Sequence, residues 1–120
     1  MEESILTSIK KLLGIAEEYE HFDADIITHI NSVFSVLTQL GVGPENGFSV
    51  TDKDATWDDF IKDDSRLEMV KSYMHQKVKL LFDPPLSSAV IESINRILSE
   101  LEWRINVAAE SEKKEEIQNG

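Results

Sequence analysis

The 120-residue chain contains no cysteine. That removes disulfide staples, thiolate catalysis and cysteine-ligated zinc together, and it fits synthesis inside a cell. Long apolar runs are also missing, so no segment is expected to span a membrane. The opening Met1-Glu2-Glu3 is acidic where a secretory leader would be basic, so no signal peptide is expected. Basic residues are scarce: 12 Lys and Arg stand against 23 Asp and Glu, a net charge of −11. A field of that sign repels phosphate backbones and anionic lipid, which disfavours a nucleic-acid grip or a membrane anchor. It is compatible with three readings: a charge excess that keeps the chain dissolved, a surface that sits near DNA without sticking, or a surface that imitates DNA.

What is present is an ordinary apolar fraction of 41%. A chain of this length should form one domain and bury roughly two thirds of its unfolded surface. Ile5, Ile9, Leu12 and Leu13 recur at helical spacing before Gly14, which predicts a helix over 4–13. Glu17, Glu18 and Glu20 fall in the loop behind it. Ile26, Ile30, Val33, Leu37 and Leu40, widened by Ile27 and Phe34, predict a second helix over 23–40. Asp23 is the expected cap and Gly41 the stop.

Gly41, Gly43, Pro44 and Gly47 then mark an irregular connection over 41–64. Within it, Phe48-Ser49-Val50 is a candidate extended piece that could pair with a neighbouring subunit. Thr56 and Asp59 have capping-box spacing, so Trp57 to Ile61 should be one helical turn anchored by Trp57 and Phe60. Ser65 and Glu68 repeat that spacing ahead of a helix over 65–82, whose apolar face is Leu67, Val70, Met74, Val78 and Leu81. Pro84 forbids a helical Asp83. Asp83, Pro84 and Pro85 are therefore the boundary, with the next helix starting at 84 behind an Asp83 cap or, equally, near Ser87.

The last helix should run to about 110. Val90, Ile91, Ile94, Ile97, Leu98, Leu101, Ile105 and Ala108 lie within about 60° of Ile94, whereas Trp103 lies on the opposite side. Residues 111–120 read as a solvated or frayed tail. The fold class is all-α: a small bundle of three to four main helices with one long irregular connection. The last three helices are expected to make the core, with the first against them.

Sites of chemistry are sought and not found. Residues 52–63 partly resemble a calcium loop, but Trp57 stands where the sharp turn needs glycine and Asp63 where a bidentate Glu belongs, so capping is the better reading. His21, His29 and His75 lack the spacing of a metal pair, and His29 reads as a partly buried structural histidine. No nucleophile elbow, phosphate loop or dinucleotide loop exists. The expectation is no enzyme, no cofactor and no metal. Trp103 is either packed inside the fold or a protein contact. Arg104 follows it and pairs with Glu100 at i, i+4, and tryptophan and arginine are favoured interface anchors. Candidate interface residues are Phe48, Val50, Trp103, Arg104 and Val107.

Six short stretches then fall in order: Leu12-Leu13-Gly14-Ile15, Asp25-Ile26-Ile27 with Ile30-Asn31, Leu40-Gly41-Val42-Gly43, Trp57-Asp58-Asp59-Phe60, Leu81-Phe82-Asp83-Pro84-Pro85, and Glu100-Leu101-Glu102-Trp103-Arg104. In that order and spacing the chain resembles the head–tail connector (adaptor, or head-completion) family of tailed bacteriophages. The resemblance covers about residues 6–109; the lysine- and glutamate-rich tail matches nothing in the family pattern. It implies a structural virion protein at the head–tail interface, made in the host cytoplasm. Its copies would form a homo-oligomeric ring that extends the portal channel. That ring would bind the phage portal protein on one side and a downstream stopper or tail protein on the other. Duplex DNA would pass through without specific recognition. As a separate expectation that the resemblance does not supply, the C-terminal end of the last helix or the tail docks on the portal. The alternative from another class is an acidic DNA-mimic inhibitor of a DNA-handling protein; a metal-binding or catalytic domain ranks third.

Overall fold

In the computed structural model, the backbone is described for residues 3–62 and 65–119, and the side chains through Ala109. Five helices follow in order: α1 (Ile5–Leu12), α2 (Asp23–Gln39), α3 (Trp57–Phe60), α4 (Leu67–Phe82) and α5 (Ser88–Asn119). Among the described residues the only β contact is an isolated antiparallel bridge between Ser4 and Thr56.

Ser4 starts α1 by accepting a hydrogen bond from the Thr7 amide on its Oγ, which satisfies one of the unpaired first-turn donors. Ile5, Leu6 and Ile9 bury one face, and Gly14 takes the left-handed conformation behind the helix. In α2 the buried line is Ile26, Ile30, Val33, Phe34 and Leu37, as the 3.6-residue period requires. Asp23 does not cap this helix. Phe22 occupies the cap position without a side-chain bond, because the Asp23 carboxylate is turned toward Lys10.

The turn α3 forms the expected capping box. Thr56 accepts from the Asp59 amide, and the Asp59 carboxylate accepts from the Thr56 amide at 2.9 Å. It places Trp57 and Phe60 inside the core, where Phe34, Phe48 and Phe60 pack ring against ring at 4.7–5.4 Å. The corresponding box at Ser65 and Glu68 does not form: α4 begins behind Arg66 with no side-chain cap. At its other end the Asp83 amide donates to the Lys79 carbonyl, so Asp83 closes α4.

Two prolines in series hold Pro84 extended as well, because the residue before a proline avoids helical geometry. The last helix therefore waits for Ser87, whose Oγ accepts from the Val90 amide at 3.4 Å. Of the two expected starts, the one at 84 is corrected and the one near Ser87 holds, with α5 beginning at Ser88; the helix continues past 110 to Asn119.

The helix α4 is the centre of the domain. Helices α2 and α5 pack on it from different sides and α1 lies across α2 and α4. The expected hierarchy therefore shifts: α1 supplies wholly enclosed side chains, Ile5 and Ile9, whereas α5 is attached along one line. That line is Ile94, Leu98, Ile105 and Ala109. It is rotated about 30° from the stripe read around Ile94, which leaves Val90 and Ile97 exposed. The cause is geometric, since the stripe is wider than one neighbouring helix can cover. At 1.5 Å per residue, the 32 residues of α5 extend about 48 Å. This equals the longest dimension of the molecule, 48 Å. The 16 residues of α4 span only half of that. The C-terminal part of α5 thus runs past the end of α4, to where Ala109 lies against Gly41.

Candidate interaction surface

The outer face of α5 is built by what α5 cannot bury. Trp103 sits about 160° around the helix from Ile105 and about 140° from Leu98, so it points directly away from α4. The residue is 67% exposed. Val107, one turn on, is exposed beside it, and Arg104 donates to the Glu100 carboxylate at 2.7 Å with both side chains mostly in solvent. That pair is worth only a few tenths of a kcal/mol, so it orients the surface and contributes little to folding. Toward the start of α5, Val90 and Ile97 are exposed on one face two turns apart, and Leu81 at the end of α4 and Leu86 in the turn are exposed as well, Leu86 fully. Sequence reasoning placed Leu81, Val90 and Ile97 in the core and passed over Leu86; the signal available was the stripe's excess width and a leucine directly after two prolines.

Phe48 and Val50 are placed differently from Trp103. Phe48 is half-buried, its ring 5.1 Å from that of Phe34 and 5.4 Å from that of Phe60. Val50 is 1% exposed. Its backbone is also occupied: Asn31 Nδ2 donates to the Val50 carbonyl at 2.9 Å, and the Val50 amide donates to Asn31 Oδ1 at 2.7 Å. The Asn31 amide thus stands where a partner strand would, and the Val50 side chain is part of this protomer's core. Asp83, Pro84 and Pro85 form the exposed turn between α4 and α5, far from the Phe48 loop in sequence.

The grip of α5 on the body is polar as well as apolar. The Tyr73 hydroxyl, on a fully buried residue, donates to Glu102 Oε1 at 2.7 Å, and Asn106 Nδ2 reaches the Leu40 carbonyl at 3.4 Å. Burial, then the hydrogen bond to Glu102 and its charge, push the Tyr73 phenol well above its ordinary range. Because the folded state favours the neutral phenol, this stabilisation is complete below the usual tyrosine pKa of about 10 and is lost as pH rises beyond it. Tyr73→Phe should cost about 1–2 kcal/mol at neutral pH. It should also flatten the alkaline fall in stability above about pH 10. Denaturant titrations of both proteins at pH 7 and pH 10.5 measure this; equal alkaline slopes would contradict it.

Across α4 from α5 lies a groove of about 700 Å³ between α1 and α4, lined in part by Leu12, Lys11, Lys71, Ser72 and His75. Burial first, then the Lys79 charge, hold His75 below its ordinary range, which favours its neutral form. The sequence offered no sign of this concavity, because it is made by two helices joined only through the tertiary fold. It also missed the corner behind α1. There Lys10 is 2% exposed, and its Nζ donates to the carbonyls of Glu17 and Tyr19, both at 2.8 Å. The Asp23 carboxylate approaches the same nitrogen at 2.9 Å, outside hydrogen-bond alignment, as a counter-charge.

No constellation for catalysis assembles around these residues. Asp52 accepts from the Asp54 amide in a local turn and Asp59 is occupied by the cap, while Asp63 lies outside the described residues. His21 packs on Phe22 with ring centroids 4.8 Å apart, and half-buried His29 faces Phe82 at 6.4 Å. Among the described residues no three His, Asp or Glu side chains cluster to hold a metal ion, and no helix is long and apolar enough to cross a membrane. The sequence pattern of one family, described as phage connector protein, matches residues 5–112. No curated protein and no solved structure gives a significant match. A pattern match over nine tenths of the length of this helical chain establishes that it belongs to the phage connector protein family.

Proposed function

We propose that this protein is a ring-forming head–tail connector subunit. Copies assemble beneath the portal vertex, extend the portal channel and offer a docking surface to the next head-completion or tail protein. The observation that carries this reading is the outward Trp103. A folded protomer that has buried its other tryptophan, Trp57, keeps this residue two-thirds exposed with Val107 and Arg104 on one helix face. Tryptophan and arginine in that setting are anchors for another protein.

The other exposed apolar side chains, Leu81, Leu86, Val90 and Ile97, are available to a different neighbour. The projecting end of α5 is suited to reach the portal. Duplex DNA passes through the ring unread, and the −11 charge limits its adhesion. The role is structural, exercised in the virion after synthesis in the host cytoplasm, with no reaction and no cofactor. Family membership favours this reading over a DNA mimic, which would act as a monomer or dimer on a DNA-handling enzyme.

Native mass spectrometry of the chain mixed with purified portal protein tests the proposal. The expected result is a portal complex carrying many copies of the chain. A portal that stays bare while the chain binds a nuclease or repressor one to one would replace this reading with the mimic.

A further inference from the structure

Resting on the ring reading above, we infer that the lateral contact is a knob in a groove: Trp103 of one copy seats in the α1–α4 groove of the next. A ring of more than two copies needs a heterologous contact, in which two different patches of one surface meet. The protomer carries such a pair on opposite sides. Trp103 points away from α4 on the α5 side. On α4, Lys71 and His75 lie two residues before and after Tyr73, which faces Glu102 of α5; each is therefore about 160° around the helix from the α5 contact.

Knob and groove match in size and in chemistry. The groove, about 700 Å³, admits an indole together with the Val107 side chain and is lined partly by the exposed Leu12. Charge is complementary in both signs. The knob is flanked by the Glu100–Arg104 pair, and the groove lining sets Lys11 and Lys71 beside Glu3 and Glu68, so that each member of the pair meets an opposite charge. The Lys71 ammonium also lies 5.7 Å over the Trp57 ring of its own protomer. Neither patch can bury itself within its own protomer, since α4 stands between them.

The chain's lack of cysteine makes the test direct. Two variants each break one half of the contact: Trp103→Ala removes the knob, and Ser72→Trp, at an exposed position, fills the groove. Thermal melts within a few degrees of the parent show that both fold. Sedimentation at up to about 1 mM should show the parent associating and each variant alone weakened at least tenfold, about 1.4 kcal/mol. An equimolar mixture, with one intact knob and one intact groove, should form a two-chain species that grows no further. Under oxidation, Arg104→Cys chains mixed with Ser72→Cys chains should give the mixed disulfide in preference to either symmetric one.

Symmetric disulfides in excess, or no rescue on mixing, would overturn the contact. If portal-templated rings form and admit Trp103→Ala unimpaired, the ring stands and the knob fails. If the parent stays monomeric both at 1 mM and with portal present, both readings fail.

Discussion

Lys10→Ala should lower the midpoint of thermal unfolding by about 10 °C or more, which for a domain of this size corresponds to roughly 3 kcal/mol. The reason is what the substitution leaves behind. Lys10 is almost entirely enclosed, and its ammonium is the only described side-chain donor to the Glu17 and Tyr19 carbonyls. Without it those carbonyls lose their partner at a partly buried corner, and the Asp23 carboxylate, itself three quarters enclosed, loses its counter-charge. Breaking a buried pair by removing one partner is far costlier than the pair's net worth. Lys10→Met, which keeps the stem and deletes the charge, should recover under half of the loss. Chemical denaturation of both variants is the check; a loss below about 1 kcal/mol would show that water replaces the ammonium without penalty.

Gly43→Ala should be comparably damaging, at about 3 kcal/mol, from two causes that add. The residue has φ of +85°, where an L side chain is strained. In addition an added Cβ would lie 2.3 Å from Cε1 of Phe60, a ring held by Phe34 and Phe48 and unable to retreat. Gly14→Ala separates the causes. Its φ of +80° is similar, but nothing lies within 4 Å of the new Cβ, so only the backbone strain of about 1 kcal/mol applies. Unfolding free energies for the pair should therefore differ by about 2 kcal/mol. Equal losses would mean that the Phe60 cluster yields more easily than its packing indicates.

These two positions also show where a linear reading reaches its limit. The bodies of α1, α2 and α4 were legible because their apolar residues repeat every three to four positions, and α3 because a capping box is a local pattern with a local mechanism. That Trp103 lies opposite the stripe was legible too, as plain helical arithmetic from Ile94. Whether it was buried or open was not, because that depends on whether another element covers the far side of α5. Lys10 was not legible, because its partners are backbone carbonyls that any residue could supply. Tyr73 and Glu102, 29 residues apart, carry no spacing that announces a bond. Asp23 and Ser65 had the right chemistry for caps. The Asp23 carboxylate went to Lys10 instead, and α4 starts behind Arg66 without a side-chain cap. In α5 the stripe gave the helix but not its roll, which depends on how much of its width α4 can cover. For the candidate surface the result is uneven in the same way. Trp103, Arg104 and Val107 lie together on an open face, whereas Val50 is enclosed and Phe48 half-buried inside its own protomer.

Fluorescence quenching of Trp103 alone gives the most direct test of whether this open face is covered by another protein. Trp57→Phe leaves a single indole in the chain, and acrylamide can be titrated against the free protein and against its assembly on portal particles. The expected result is an indole quenched freely in the isolated chain and strongly protected in the assembly. Equal quenching in both states would mean that the face stays open to water in the connector, and that copies meet elsewhere.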